Sequence, residues 1–254
     1  MVIHESDSVP GKVNLWAGKF AERIALSYPD AAQYFPKEKV ALTGNPIRKD
    51  LDLALTSNAH EFLGLDPNIP TIFVMGGSLG SQKINEVLME ALPHLLSKYN
   101  VVHQTGKKII REVKEIAEAV LLNHIHKDRY HTYDYMDNLT IRSAAGAANL
   151  VISRAGSTIF EIAAWGIPSI IIPIREAVSH DQTKNAFAYA RTGAASVVVE
   201  ENLTGNILNS EVDRIVEDRE LTKTMKEATK QFVHTDAARK IAEELLKICL
   251  QHEL

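Results

Sequence analysis

Three stretches combine glycine, hydroxyl, amide and charged residues in patterns suited to an anionic or sugar-bearing ligand. In the first, Gly76-Gly77-Ser78-Leu79-Gly80 directly follows an apolar run. Glycines there let the backbone approach a ligand, and the free N–H groups of a following helix attract a phosphate. The stretch is neither G-x-G-x-x-G nor G-x-x-x-x-G-K-[ST], so neither a dinucleotide fingerprint nor a P-loop is indicated, and it also fits a plain tight turn. The second stretch is Arg154-Ala155-Gly156-Ser157-Thr158-Ile159-Phe160-Glu161. Glu161, one turn into a helix, could accept hydrogen bonds from both hydroxyls of a ribose, while Thr158-x-x-Glu161 equally fits a capping box that needs no ligand. The third, Ser179-His180-Asp181-Gln182-Thr183-Lys184-Asn185, offers polar groups to sugar hydroxyls, and Ser179-x-x-Gln182 again fits a capping box. His180 and Asp181 are not expected to work as an acid/base pair, because adjacent residues on one helix do not face each other.

Lesser candidates surround these. Arg48, after Asn45-Pro46, is a cation that could meet a phosphate or simply occupy the surface. His103-Gln104-Thr105-Gly106 ends a strand and could help line the same cleft. Asp50-Leu51-Asp52 has the form of a D-x-D metal motif, yet without neighbouring ligands it reads as the solvated start of a helix.

The elements that must position these residues alternate. Thr71–Met75 is a short apolar run, as expected of a strand covered on both faces, and Ile84, Val87, Leu88, Ala91, Leu92 and Leu95 then form one helical stripe. Asn100–Gln104 is a strand before a helix carrying Ile109, Val113, Ile116 and Val120. Leu150–Ser153 leads into a helix from about Thr158 to Trp165; Ser169–Ile172 and Ala195–Val199 are further strands, separated by a helix from about Asp181 to Arg191. Such alternation predicts an α/β fold with a parallel sheet, whose ligands sit at the carboxyl ends of the strands. Residues 204–254 read as helices only. The first 45 residues read as one amphipathic helix from about Lys12 to Tyr28, a Pro-rich loop and a short strand, Val40–Leu42; they look like the tail of another domain plus a linker. That helix places Val13, Trp16, Phe20 and Ile24 on one side with Lys12, Lys19 and Arg23 nearby, a pattern that fits a core-facing helix first and a membrane-surface face second.

Composition narrows the class. The chain has 254 residues, 45% hydrophobic and 24% charged, enough to bury a core. Its net charge, 28 − 32 = −4, argues against a nucleic-acid binder working by bulk attraction. A single cysteine, Cys249, excludes an internal disulfide framework and a Cys-based zinc site. The longest apolar run, Trp165–Ile174, is broken by Pro168 and Pro173 and is far short of the ~20 residues of a membrane span. His4, Glu5 and Asp7 follow Val2 and Ile3 at once, which is no signal-peptide pattern. A soluble, cytosolic-type protein is expected.

Taken in order, the stretches resemble a known family. Thr43-Gly-Asn-Pro-Ile-Arg48, Gly76-Gly-Ser-Leu-Gly80, His103-Gln-Thr-Gly-Lys107, Arg154-Ala-Gly-Ser-Thr158 with Glu161, then Gln182 and Asn185-Ala186 together resemble the MurG family, the N-acetylglucosaminyltransferases of peptidoglycan lipid synthesis. The opening His4-Glu5-Ser6-Asp7-Ser8-Val9-Pro10-Gly11 is similar to that family's H-E-x-N-x-x-P-G segment, with Asp7 where asparagine is usual. The resemblance implies two facing Rossmann-like domains (the GT-B arrangement), of which this chain is the C-terminal, donor-binding one with a remnant of the N-terminal domain. Residues 1–46 would be that remnant and the linker, 47–210 the nucleotide-sugar-binding domain, and 211–254 the closing helices. Two complete domains of ~150 residues would need more chain.

The resemblance also implies roles. Gly77, Ser78 and Leu79 would bind the donor diphosphate, Gly156, Ser157 and Thr158 would line the site, and Glu161 would take the ribose hydroxyls. Arg48 would lie near the phosphates, Gln182 and Asn185 at the N-acetylglucosamine ring, and a backbone loop around Tyr135-Met136-Asp137 at the uracil. Asp7 is the acceptor-side candidate, no catalytic base is assigned, and no metal or other cofactor is implied. The implied donor is UDP-N-acetylglucosamine and the acceptor an undecaprenyl-linked muramyl-pentapeptide, with inversion at the anomeric carbon. The family works in the cytoplasm at the inner face of the plasma membrane, and here membrane contact is expected only through the part of the N-terminal domain that this chain lacks. The acceptor half could also be a separate chain. A non-catalytic UDP-sugar-binding module and, last, an epimerase acting on UDP-N-acetylglucosamine remain alternatives.

Overall fold

The alternation of side chains in one five-residue strand explains the architecture. In the computed structural model, which describes residues 1–77, 80–174 and 182–251, Thr71–Met75 is entirely buried. Ile72 and Val74 join one apolar cluster, while Phe73 and Met75 join another on the opposite side. Successive strand residues face opposite ways, so this strand needs cover on both faces. Each such side chain contributes about 1.5–3 kcal/mol when buried.

In chain order the elements are β1 (Val2–Glu5), α1 (Lys12–Gly18), β2 (Arg23–Leu26), β3 (Val40–Leu42), α2 (Ala59–Leu63), β4 (Thr71–Met75), α3 (Gln82–Lys98), β5 (Asn100–Gln104), α4 (Ile110–Val120) and β6 (Tyr130–Tyr133). There follow α5 (Asn138–Ala147), β7 (Ala148–Ser153), α6 (Thr158–Trp165), β8 (Ser169–Ile171), α7 (Gln182–Ala190), β9 (Ala195–Val197), α8 (Gly205–Glu217), α9 (Arg219–Thr229) and α10 (Ala237–Gln251). Six strands form one parallel sheet in the order β6-β5-β4-β7-β8-β9. From β4 the chain winds outward through β5 and β6, then returns to β7 and winds the other way. The sheet is doubly wound, and β4 and β7 flank its switch point, where such folds leave a crevice for a ligand. The buried faces of α3 and α8 pack on one side, and those of α5 and α6 on the other.

The opening segment departs from expectation. The helix begun at Lys12 stops at Gly18, and Arg23–Leu26 is a strand, so residues 12–28 are not one helix. A Cβ at position 18 would press on the Phe35 ring at 2.8 Å, which keeps this turn tight, and Ile24 and Leu26 are then drawn into a small core with Ala21, Ala31 and Phe35. The result is a second parallel sheet, β1-β2-β3. Of the apolar side chains expected to face the core, Val13, Trp16 and Phe20 are instead 76%, 64% and 65% exposed, and only Ile24 is buried. Tyr28 joins the small sheet to the large domain, its ring 5.2 Å from Phe160 and 5.5 Å from Phe232. From the other end of the chain, α10 returns to the small sheet through an Arg23–Glu244 ion pair of 2.9 Å.

Three further elements, α2, α5 and β6, lie in stretches where the sequence pattern shows none. The boundary expected after residue 210 falls inside α8, which runs unbroken from Gly205 to Glu217.

Candidate functional site

At the carboxyl end of β4 the chain makes a turn that only glycine accommodates. Gly77 and Gly80 have φ of +87° and +78°, and the Gly80 N–H reaches the Gly77 carbonyl at 3.1 Å. A Cβ at position 80 would overlap the Thr105 carbonyl oxygen, so backbone shape and close approach both demand glycine there. Ser78 and Leu79 lie outside the described residues. The turn delivers the chain into α3, whose N-cap is Ser81; its Oγ accepts from the Ile84 N–H at 3.3 Å. The helix thus presents its N-terminus at the switch point, a position suited to an anion.

Arg154, at the end of β7, fastens this helix start to the neighbouring strands. Its guanidinium donates to Ser81 Oγ at 2.6 Å, to Glu200 at 2.5 Å and to the Ile172 carbonyl at 3.1 Å. One side chain therefore ties the loops after β4, β7, β8 and β9 together.

The next turn removes one of the two readings of Glu161. Ser157, not Thr158, occupies the N-cap of α6 and makes no side-chain cap bond, so the capping box Thr158-x-x-Glu161 does not form. Glu161 instead lies 3.6 Å from the Arg48 guanidinium, with the carboxylate side chain 17% exposed and the arginine 57%. Burial holds the Glu161 carboxyl above the ordinary glutamate range, and Arg48 offsets part of that rise. An ion pair this long and this open contributes little, so Arg48 is available to another anion at small cost.

Gln182 comes to the same mouth. A Cβ on Gly156 would sit 3.7 Å from its Nε2, and its Oε1 accepts from the Ile174 N–H at 3.3 Å. Asn185 is placed differently from an open sugar ligand. It is 2% exposed; its Nδ2 donates to Asp7 at 2.7 Å and its Oδ1 accepts from the Ser8 N–H at 2.7 Å. Asn185 and Asp7 together form a joint between the opening loop and α7. His180, Asp181 and the Ser179 capping box lie outside the described residues.

Met136 is also brought to this edge of the sheet, but its side chain is buried and its N–H is occupied by Gln104 Oε1 at 3.1 Å. Of its two backbone groups, the carbonyl is the one without that commitment. Gln104 Nε2 donates in turn to the Gly77 carbonyl at 3.2 Å. Beneath them, His103 Nε2 meets Asn85 Oδ1 at 3.0 Å and His103 Nδ1 meets the Tyr130 hydroxyl at 2.9 Å. Asn85 Nδ2 donates to the Thr105 carbonyl at 3.1 Å, so its Oδ1 is the acceptor toward histidine and Nε2 carries the ring proton. Full burial pushes the His103 pKa down to about 3, and the ring is a neutral strut.

Asp50 is solvent-facing and meets Asn138, whereas the intervening Leu51 is buried and its carbonyl accepts from Trp165 Nε1 at 2.7 Å. Among the described residues no group of three His, Cys, Asp or Glu side chains is placed to hold a metal ion. Nor is any helix among them long and apolar enough to cross a membrane. Arg154 and Gln104 lie in stretches that the sequence singles out, but their bridging between loops is not visible in the pattern. The available signal was their chemistry: a polar or charged side chain closing a buried, apolar strand must find partners, and here the partners are the neighbouring strand-end loops.

A doubly wound parallel sheet with a Gly-rich turn and a carboxylate at its switch point defines the chain as the C-terminal domain type of a GT-B glycosyltransferase. Residues 71–244 match the glycosyltransferase family 28 C-terminal domain. The UDP-N-acetylglucosamine--N-acetylmuramyl-(pentapeptide) pyrophosphoryl-undecaprenol N-acetylglucosamine transferase 2 of Bacillus thuringiensis subsp. konkukian is 37% identical over 242 residues, covering 92% of this chain and 66% of the relative. The corresponding transferase of Limosilactobacillus reuteri is 33% identical, covering 99% of this chain and 68% of its own length. Among solved structures, MurG of Acinetobacter baumannii superposes with a TM-score of 0.75 at 25% identity, covering 97% of this chain and 67% of that one. A Staphylococcus aureus MnaA–UDP complex shares the fold, with a TM-score of 0.69 at 15% identity over 96% of this chain and 68% of that one. The chain belongs to the MurG family. It spans about two thirds, 66%, of the length of the Bacillus relative.

Proposed function

We propose that this chain binds UDP-N-acetylglucosamine and supplies the donor half of N-acetylglucosamine transfer to a lipid-linked muramyl-pentapeptide. The observation that carries this reading is that Glu161, on α6, the helix that follows β7 beside β4 in the sheet, meets Arg48, with the capping alternative for Glu161 removed. A buried carboxylate suits the two ribose hydroxyls, the α3 N-terminus and Arg48 suit the diphosphate, and Gln182 lies where the sugar would follow. In the transfer, the muramyl C4 hydroxyl, giving up its proton to a general base or to water, forms a bond to the anomeric carbon as the bond from that carbon to the diphosphate oxygen breaks. The configuration inverts, and UDP departs with the bonding electron pair. Charge grows on the leaving diphosphate, and fixed donors at a helix start stabilise it without reorganising.

The acceptor side belongs, in this reading, to a part of the site that the unmatched third of the relatives supplies, a separate acceptor-domain chain being one source. Contact with the inner face of the plasma membrane belongs to the same reading. It is supported by the exposed Val13, Trp16 and Phe20 on and just beyond α1, with Lys12 and Lys19 exposed beside them, a pattern suited to an anionic lipid surface.

Calorimetry with UDP and UDP-N-acetylglucosamine tests the donor site: saturable binding of both is expected, and no heat at millimolar ligand overturns the reading. With a lipid-linked muramyl acceptor and labelled donor, turnover by these 254 residues alone would overturn the division into donor and acceptor halves.

A further inference from the structure

Along the carboxyl edge of the large sheet, strand order places the loops that follow β6, β5, β4 and β7 side by side in that sequence. A diphosphate at the start of α3, with the sugar on the Gln182 side, leaves the base toward β5 and β6, on the other side of the switch point. Gln104 stands between these two halves. It closes β5, is 2% exposed, and spends both ends of its amide on the flanking loops: Nε2 donates to the Gly77 carbonyl at 3.2 Å, and Oε1 accepts from the Met136 N–H at 3.1 Å. The carbonyl can only accept and the N–H can only donate, so one orientation of the amide satisfies both and the flipped one satisfies neither. Neighbouring backbone bonds fix the frame around it. Thr105 N–H reaches the Tyr133 carbonyl at 2.9 Å, and Gly106 N–H reaches the Asp134 carbonyl at 3.1 Å.

We propose that Gln104 is a specificity-positioning residue that locks the diphosphate turn and the base-side loop into one unit, so that a nucleoside diphosphate is read as a whole. It touches no reacting atom. Its effect is to make the position of the 133–137 loop depend on the position of Gly77, so that ligand contacts at one loop strengthen discrimination at the other. The inference rests on the donor-site reading above, and it goes further by naming what couples base choice to phosphate binding.

The test compares UDP, CDP and UMP by calorimetry on the full chain and on two variants. Gln104→Met keeps the volume and removes both hydrogen bonds; the ratio of UDP to CDP affinity is expected to fall at least tenfold, with CDP affinity changing less than threefold. Gln104→Glu keeps an acceptor for Met136 but loses the donor to Gly77, so it is expected to retain the uracil preference while the UDP-to-UMP ratio falls at least fivefold. Melting curves accompany each variant, and if the methionine protein does not fold, the glutamate protein carries the test through its UDP-to-UMP ratio. A merely structural role would lower UDP and CDP affinity in parallel and leave the ratios unchanged, and that result overturns the proposal. Wild-type protein that binds UDP while the variants keep its preferences sinks the coupling alone; wild-type protein that binds no UDP sinks the donor-site reading itself.

Discussion

Replacing Glu161 by glutamine separates binding from stability at a single atom. In the free protein the carboxylate is 17% exposed and 3.6 Å from an arginine that is itself largely in solvent. Two ribose hydroxyls donating to it would make hydrogen bonds to a charged acceptor, a class worth about 1.5–3 kcal/mol. At ~1.4 kcal/mol per factor of ten, Glu161→Gln is therefore expected to weaken UDP binding by about 10- to 150-fold near neutral pH. Stability should move the other way. Burial raises the carboxyl pKa in the folded chain, with Arg48 offsetting part of the rise, so between the ordinary glutamate value and the folded one the native state holds more protons than the unfolded chain. Stability then falls as pH rises through that window, and the loss persists above it. Glutamine carries no such penalty, so the variant is expected to melt at or above the parent temperature at neutral pH, with the difference vanishing below the ordinary glutamate pKa. Calorimetry and thermal melts across pH read both quantities. Unchanged UDP affinity together with a lower melting temperature at neutral pH would show that Glu161 buttresses α6 and holds no ligand.

Other substitutions follow from the same geometry. Gly80→Ala forces a side chain into φ +78° and against the Thr105 carbonyl, and a loss of about 1–3 kcal/mol in urea unfolding is expected; a neutral result would mean the turn relaxes freely. The joint formed by Asp7 and Asn185 predicts a double-mutant cycle to alanine with a coupling of about 0.5–3 kcal/mol, whereas strict additivity would deny the joint. For His103 the folded pKa lies below the unfolded one, so its contribution to stability is present above pH 6.5 and is lost as pH falls toward about 3. Ring resonances of His103 should show no titration between pH 5 and pH 8, and a midpoint in that range would contradict the buried, neutral ring.

The parts of the fold that were legible in the sequence share a physical cause. Strands β4 and β5 are buried on both faces, and the helix after β4 carries one unbroken apolar stripe, so local pattern and final environment agree. Edge strand β6, Tyr-His-Thr-Tyr, is half-buried throughout and carries no apolar run that would mark it. In α5, a run rich in alanine packs by closeness of approach: a Cβ on Gly146 would overlap the Leu55 carbonyl, a fit that hydrophobicity does not encode. The opening segment misleads because Val13, Trp16, Phe20 and Ile24 are spaced as a helical stripe although the last belongs to a strand and the first three face solvent. At the site, residue types such as Glu161 and Arg48 were readable, but which alternative each one served was not. Local sequence does not tell whether Thr158 or Ser157 occupies the N-cap of α6, and the bond of Asn185 to Asp7 comes from a segment 178 residues away.

The return of α10 to the small sheet has a consequence for how the molecule comes apart. Five buried residues, Ala21, Ile24, Leu26, Ala31 and Phe35, with the partly buried Ile3, Ala32 and Val40 against them, make a small core, too little for three short strands to persist unaided. What secures them comes from the large domain and the closing helix: the Phe160 and Phe232 rings against Tyr28, Asn185 against Asp7 and Ser8, Arg191 against Asp30, and Glu244 on α10 against Arg23. The first 45 residues are thus held by contacts made far along the chain, at Phe160, Asn185, Arg191, Phe232 and Glu244, rather than by their own small core alone. Their amide hydrogens should exchange together, by detachment of the small sheet, while those of β4, β5 and β7 wait for the large sheet to open.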